Sequence, residues 1–392
     1  MKVLVCTAMK IPHIGGASTH IDLLTSVLQQ NTTFLGLING NNIKGSNVER
    51  LIYVIKKYLD KDRARLAILM SVVDRMSKQI KSIATMSSGH LVIHSHDPLA
   101  TYAAVRAAIP NVSIVQTVHG PWSKESLADG SSAESLYNLS IQNIEKEAFA
   151  CADLLLPVDK GQADILINDF GVECHRIIVI QNAVDVKSLS TSLPIALDEK
   201  ATPYFIVPRR LVPKNGVEFA IHAFSQLNRK DINLIIAGDG FLKSSLLKLV
   251  NDLGVSPNVK FLGDVSYNKV IPLLKRSKAV LVPSVPADGV VEATSLAVLE
   301  AMACSVPVIG SAIGGIKDII RDETCGFLVE AGNPSSIATA MNAVLTMDAM
   351  SRSRLTENAK RRIESGFGVK AWQERIFFAY RAAISRTKLT GE

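Results

Sequence analysis

Short runs of β-branched and aliphatic residues recur along this chain, separated by longer amphipathic segments, and this alternation constrains the fold more than any other feature. A strand that reaches the next strand through a helix returns parallel to it, so the pattern specifies βαβ units and parallel sheets. The runs in the first half are Lys2 to Thr7, Thr33 to Ile38, His90 to His94, Ser113 to Thr117, Leu154 to Pro157 and Ile177 to Ile180. Helical periodicity fills the gaps at His20 to Gln29, Leu99 to Ala108, Leu136 to Ala150 and Lys160 to Asp169. The rhythm stops between Asn182 and Pro203, where NAVDVKSLSTSLPIALDEKATP has no clear period, and it reads as a linker. It resumes at Tyr204 to Val207, Ile232 to Ala237, Val259 to Leu262, Ala279 to Val282, Val306 to Ile309 and Phe327 to Val329. The expectation is an α/β protein of two Rossmann-like doubly wound domains, residues 1–185 and 203–368. A last helix, 369–388, carries Val369, Trp372, Ile376, Phe377 and Tyr380 on one face and must dock that face somewhere. A chain of 392 residues, 47% hydrophobic, supplies two cores.

Composition excludes several classes. With 5% aromatic and 20% charged residues and no low-complexity tract, the chain is neither disordered nor fibrous. Cys6, Cys151, Cys174, Cys304 and Cys325 lie far apart, outside any zinc-ligand spacing, and read as free thiols of a reducing cytosol. The opening MKVLVCTAMKIPHIGG has too short an apolar run for a signal peptide, and no stretch approaches the ~20 apolar residues of a spanning helix. The chain therefore reads as soluble and cytoplasmic, or peripheral on the inner face of the membrane. Its net charge of +7 is uneven: ten Lys/Arg stand against four Asp/Glu between Lys44 and Lys81. That stretch is a pair of solvated helices or a basic amphipathic surface suited to anionic lipid.

The strongest chemical signal is PSVPADGVVEATSLAVLEAMACSVPVIGSAIGGIKDII. Glu292 precedes a helix start at which Thr294 or Ser295 is the N-cap, and the backbone N–H groups from Leu296 onward form a positive terminus suited to a diphosphate. Glu300 lies about two turns in, where a carboxylate accepts hydrogen bonds from ribose hydroxyls, and Glu292 is placed to do the same for a transferred sugar. Arg210 and Lys214, in YFIVPRRLVPKNG, supply a fork and a point charge for phosphate oxygens. Gly15 and Gly16 follow the first strand and allow close backbone approach before another helix start. HSHDP (His94, His96, Asp97) and TVHGPW (His119) end two strands, but a His-x-His pair without a carboxylate or thiol partner is a poor metal site, and no metal is expected. His94 reads as a satisfied core histidine.

The glutamate pair, with AMAC and PVIGSAIGGI following, resembles the donor-site signature of the retaining family-four glycosyltransferases, which have the two-domain GT-B fold. The resemblance runs in order through the double glycine, the histidine strand ends, the arginine-rich loop and the returning C-terminal helix. It implies an interdomain cleft, with Gly15 and Gly16 meeting donor phosphate and sugar, His119 approaching the donor sugar, and His96 and Asn182 on the acceptor side. Gly238, within GDG and next to Asp239, flanks the nucleotide together with Lys243, and the main chain at Gly263 and Val265 receives the base. Asp239 and Asp264 read as turn residues. The family shows arginine, then lysine five residues later, then glycine; here the fifth position is Asn215 and the lysine is Lys214.

The implied reaction is transfer of a sugar from a nucleotide diphosphate to an acceptor hydroxyl with retention, without a required cofactor. A UDP-sugar is favoured over a GDP- or ADP-sugar, and the acceptor is a glycan or a lipid-linked carrier of bacterial surface polysaccharide or glycolipid synthesis. An epimerase or a phosphorylase is the rival within sugar-nucleotide chemistry. A basic nucleic-acid-binding protein is the rival outside it, and it lacks the aromatic-interleaved basic groove such binding needs. The partners expected are thus a nucleotide sugar, an acceptor and an anionic membrane surface, with no nucleic acid.

Overall fold

A computed structural model describes residues 1–11, 16–31, 33–43, 60–124, 132, 134–191, 202–287 and 291–390. The chain divides into two compact units, Met1–Gln181 with Gln373–Glu392, and Asn182–Trp372.

The first unit runs β1 (Lys2–Cys6), α1 (Gly16–Asn31), β2 (Thr33–Ile38), α2 (Lys61–Thr85), β3 (Leu91–Ser95), α3 (Pro98–Arg106), β4 (Val112–Val118), α4 (Leu136–Cys151), β5 (Leu154–Pro157) and α5 (Lys160–Asn168). All strand pairs are parallel, in the order β2-β1-β3-β4-β5. Every residue of β3 and β5 is buried, as required of strands covered on both faces. Four helices begin at a capping side chain: Asp60, Asp97, Ser135 and Asp159 each accept from a backbone N–H of the first turn. Asp97 also accepts from the Thr7 hydroxyl and the Ala8 amide, both at 2.7 Å, tying the end of β1 to the start of α3. The Ile177 to Ile180 run is not a sixth strand. Ile177 forms one bridge to Leu155, and Ile178 and Ile180 donate to Leu155 and Pro157, so the segment follows β5 without a ladder.

The second unit runs α6 (Val186–Thr191), β6 (Tyr204–Val207), α7 (Val217–Gln226), β7 (Asn233–Ala237), α8 (Lys243–Asp252), β8 (Val259–Gly263), α9 (Tyr267–Arg276), β9 (Val280–Val282), α10 (Leu296–Ala303), β10 (Val308–Ser311), α11 (Gly314–Ile320), β11 (Phe327–Val329), α12 (Pro334–Thr346), α13 (Ala349–Gly366) and the first residues of α14 (Val369–Thr390). The aperiodic stretch after Asn182 thus contains a helical turn and a half before residues 192–201, which lie outside the described residues. The parallel sheet has the order β8-β7-β6-β9-β10-β11. Side chains alternate between two cores: Tyr204 and Ile206 join one with Val280, Val282 and α10, while Phe205 and Val207 join the other with Leu281 and α7. Burying one such side chain contributes about 1.5–3 kcal/mol.

Both orders reverse direction once, at β1/β3 in the first sheet and β6/β9 in the second. Doubly wound sheets bind ligands at that crevice, beyond the carboxyl ends of the strands. From Gln373 onward α14 belongs to the first unit, where Ile376, Ala379, Tyr380 and Ala383 are buried.

Candidate active site

In the second unit the segments leaving β6 and β9 meet across the switch point through a charge pair. Arg209 donates from both terminal nitrogens to both oxygens of Glu292, at 2.9 and 2.6 Å. Each side chain is only 11% exposed. The Arg209 guanidinium also donates to Asn215 Oδ1 and, at 3.1 Å, to Ser284 Oγ. Asn215 is held in turn by its Nδ2, which donates to the Arg210 carbonyl at 2.8 Å. Burial alone would raise the Glu292 carboxyl, but Arg209, assisted by Lys214, outweighs it and holds the group below the usual carboxylate range. Glu292 is therefore an anion at neutral pH.

Two glycines make this arrangement possible. A Cβ on Gly238 would lie 2.1 Å from the Arg209 carbonyl oxygen, and one on Gly314 would lie 2.0 Å from that of Glu292. Both also adopt positive φ, +157° and +44°. The backbone beneath each charged residue is thus packed directly against another main chain.

Ser295 is the N-cap of α10, and its side chain does not cap the helix, leaving the N–H groups that begin at Leu296 without that partner. Thr294 and Ser295 are both buried. The Thr294 carbonyl accepts from Asn182 Nδ2 at 3.2 Å, so Asn182, expected on the acceptor side, lies beside α10 in the second unit. Glu300, two turns into α10, is 8% exposed, and burial pushes its carboxyl up to about 8 against a partial offset from a Tyr267 hydrogen bond. The two glutamates of one motif consequently differ in charge state at neutral pH. Arg210 is exposed and Lys214 half-buried. Gly238 bridges Gly263, bringing together the two turns expected at the nucleotide, and Val265 packs half-buried against the α10 side of the core. Asp239 accepts from the Gly240 amide at 2.8 Å and pairs with Lys243 at 2.7 Å, the turn role expected of it.

In the first unit Gly16 is the first residue of α1, while Gly15 lies outside the described residues. His96 and His119 follow β3 and β4 and are brought together, His96 Nδ1 standing 3.4 Å from His119 Nε2. Two further imidazoles complete a cluster. His94 stacks on His96 at 4.6 Å, and His20 of α1 stands edge-on to His96 and His119 at 5.3 and 5.1 Å. His94 is fully buried and satisfied, with Nδ1 at 2.7 Å from the Tyr380 hydroxyl and Nε2 at 2.7 Å from Thr117 Oγ1. Burial lowers His94 to about 3 and, with the neighbouring imidazoles, carries His96 and His119 well below the ordinary range. His94, His96 and His119 are therefore neutral at pH 7. Among the described residues no group of three or more His, Cys, Asp or Glu is placed to hold a metal ion.

Residue-level reading from sequence missed Arg209, Ser284, His20 and Glu145, and gave Asn215 and Tyr380 no part in a site. Buried Glu145 of α4 accepts from the amides of Trp122 and Ser123 and so anchors the turn after His119. The arginine doublet did signal a paired cation, since one of two adjacent residues after a buried strand turns inward. Which one does so depends on Asn215 and Glu292.

Two doubly wound units, one carrying an acid–guanidinium pair at its switch point, define a two-domain α/β architecture. Residues 14–188 match the model of Glycosyltransferase Family 4 and residues 194–362 that of Glycosyl transferases group 1, and the chain belongs to this glycosyltransferase family, with the GT-B fold. It is 28% identical over 384 residues to an uncharacterized glycosyltransferase of Methanocaldococcus jannaschii, covering 92% of this chain and 93% of that protein. It is 26% identical to the D-inositol 3-phosphate glycosyltransferase of Mycobacterium tuberculosis, over 75% of this chain and 62% of that one. The crystal structure of Anabaena HepE in complex with UDP-glucose superposes with a TM-score of 0.73 at 19% identity, covering 97% of this chain and 100% of that chain.

Proposed function

We propose that this glycosyltransferase takes its sugar from a nucleotide diphosphate, a UDP-sugar in preference to a GDP- or ADP-sugar, and retains the anomeric configuration. The observation that carries the reading is the ionised Glu292, locked by Arg209 immediately before the uncapped N-terminus of α10. A diphosphate fits that terminus, where backbone N–H groups and the helix dipole favour an anion. Arg210 and Lys214 add charge for the leaving group, Glu292 accepts from the sugar hydroxyls, and Glu300 accepts from the ribose. The anomeric carbon loses its bond to phosphate oxygen and gains one to the acceptor oxygen on the same face. The acceptor proton passes to the departing phosphate. Catalysis then comes from positioning and from stabilisation of the leaving diphosphate. His119 and His96, neutral donors and acceptors, serve the donor sugar and the acceptor hydroxyl respectively. The UDP and UDP-glucose held by Anabaena HepE support the choice of nucleotide.

Thermal shift against UDP, GDP, ADP and their glucose conjugates tests the donor. Ligand at ~100 Kd stabilises the folded state by about 2.7 kcal/mol, so a UDP-specific rise in Tm is expected. No shift with any of the six overturns the reading. The anomeric proton coupling of the first product formed decides between retention and inversion.

The acceptor is proposed to be a glycan or lipid-linked carrier of surface polysaccharide or glycolipid synthesis, reached at an anionic membrane surface. Lys61, Arg63 and Arg65 of α2 share the first unit with Ile68, Leu136 and Leu139, three apolar side chains left 40–47% exposed. Among the described residues no helix is long and apolar enough to cross a membrane. Co-sedimentation with anionic but not neutral liposomes is expected; equal sedimentation with both removes the membrane from the proposal.

A further inference from the structure

The family resemblance places a lysine at the position of Asn215, and the structure shows what stands against that position instead. The Arg209 guanidinium donates to the Asn215 side chain, so a fixed positive charge lies within one hydrogen bond of the residue that would otherwise carry it. That guanidinium is locked by Glu292, Asn215 and Ser284, and the Gly238 main chain packs against the Arg209 backbone. Four of its contacts are made inside the protein, yet its Nε–H is buried without an acceptor. A buried donor left unmet is costly, and such a group in a native structure calls for an explanation, a catalytic role or an ordered water or ion among them. The bonds to Glu292 engage both carboxylate oxygens, and Oε2 also accepts from Ser284 Oγ at 3.5 Å, so Oε1 is the oxygen with a further lone pair to accept from a hydroxyl.

We infer that Arg209 is a donor-positioning residue: it supplies in place of a lysine at 215 the fixed charge of the site, orients Glu292 toward the sugar hydroxyls, and offers Nε–H to an oxygen of the bound nucleotide sugar. Asn215 is its clamp. The inference rests on the donor reading above and specifies which of the two adjacent arginines does this work. A fork held on both sides fixes direction as well as charge, which a flexible lysine does not.

The test compares wild type with Arg209→Gln, Arg209→Gln/Glu292→Gln and Arg209→Gln/Asn215→Lys, with UDP and UDP-glucose as probes and circular dichroism to confirm folding. Arg209→Gln leaves Glu292 buried without its cation, so the double glutamine variant, which removes both charges, guards against simple unfolding. Expected for both is a kcat for UDP-glucose turnover at least 100-fold below wild type, with UDP affinity within threefold, because UDP lacks the sugar. Restoring a cation through Asn215→Lys should recover at least tenfold of the lost kcat, which a purely structural role would not do. A folded Arg209→Gln protein turning over within threefold of wild type, or a lysine variant no faster than its parent, overturns the inference alone. Wild-type protein that binds no nucleoside diphosphate overturns the donor reading and this inference with it.

Discussion

The two units solve the same topological problem with opposite electrostatics. At the switch region of the first sheet the chain gathers four imidazoles, three of which burial holds neutral. At that of the second it gathers a carboxylate and a guanidinium, and their mutual attraction keeps the carboxylate ionised in spite of burial. Removing one partner of a buried ion pair exposes the other to the full desolvation penalty. The three neutral histidines carry no such liability at neutral pH and become one on acidification. Burial alone therefore does not set charge at a site; the presence of a fixed counter-charge decides.

The contrast is broken most forcefully at Glu292. Glu292→Gln should slow transfer by about 10²–10³-fold, the scale of losing one preorganised charge contact, ~3–4 kcal/mol, and should lower the melting temperature of the second unit by stranding Arg209. Unchanged turnover would make the pair merely structural. Acidification tests the other side. His94, His96 and His119 have folded pKa values below the ordinary 6.5, so their contribution is present above pH 6.5 and is lost as pH falls through 6.5 toward the folded values, about 3 for His94. Each such histidine contributes up to about 1.4 kcal/mol per pH unit in that window. Glu292, with an ordinary value of 4.5, gives up its contribution only below that pH. Hydrogen exchange at pH 7.5 and 5.5 should thus show faster opening in the first unit, and equal acceleration in both would refute the distinction.

Smaller effects sharpen it. Tyr380→Phe removes the hydroxyl at 2.7 Å from His94 Nδ1 and should cost about 1–3 kcal/mol, the penalty of a buried polar atom left unpaired, confined to the first unit by unit-resolved melting. Glu300 is the mildest case. Its folded pKa, about 8, lies above the ordinary 4.5, so its contribution is greatest below pH 4.5 and is lost as pH rises through 8. Glu300→Gln in the ligand-free protein should raise Tm by at least ~2 °C at pH 8.5 and less at pH 5, while weakening UDP binding about tenfold. A lower Tm at pH 8.5 would mean that the carboxyl is not strained by burial.

The strand–helix alternation, the position of the break, the glutamate motif and its helix start were legible in sequence because each is written in local periodicity or in a spacing of a few residues. The Ile177 to Ile180 run shows the limit of that reading. Its residue types suit a strand, but a ladder needs consecutive bridges in register, and only the bridge of Ile177 to Leu155 forms. The choice of Arg209 over Arg210 lay equally out of reach. Both follow the same strand, and the inward one is selected by Glu292, 83 positions later, together with Asn215 and Ser284. So was the histidine cluster, whose members come from α1, β3, the turn after β3 and the turn after β4.

By itself, then, the order of residues determined two parallel α/β units and the segments that hold their chemistry, since backbone hydrogen bonding and hydrophobic periodicity act over short stretches of chain. Only the tertiary structure decided which side chains carry charge. Whether Glu292 is an anion and Glu300 an acid at pH 7 depends on what lies within a few ångströms after folding, and identical residues eight positions apart differ there because one has an arginine beside it and the other sits among apolar neighbours.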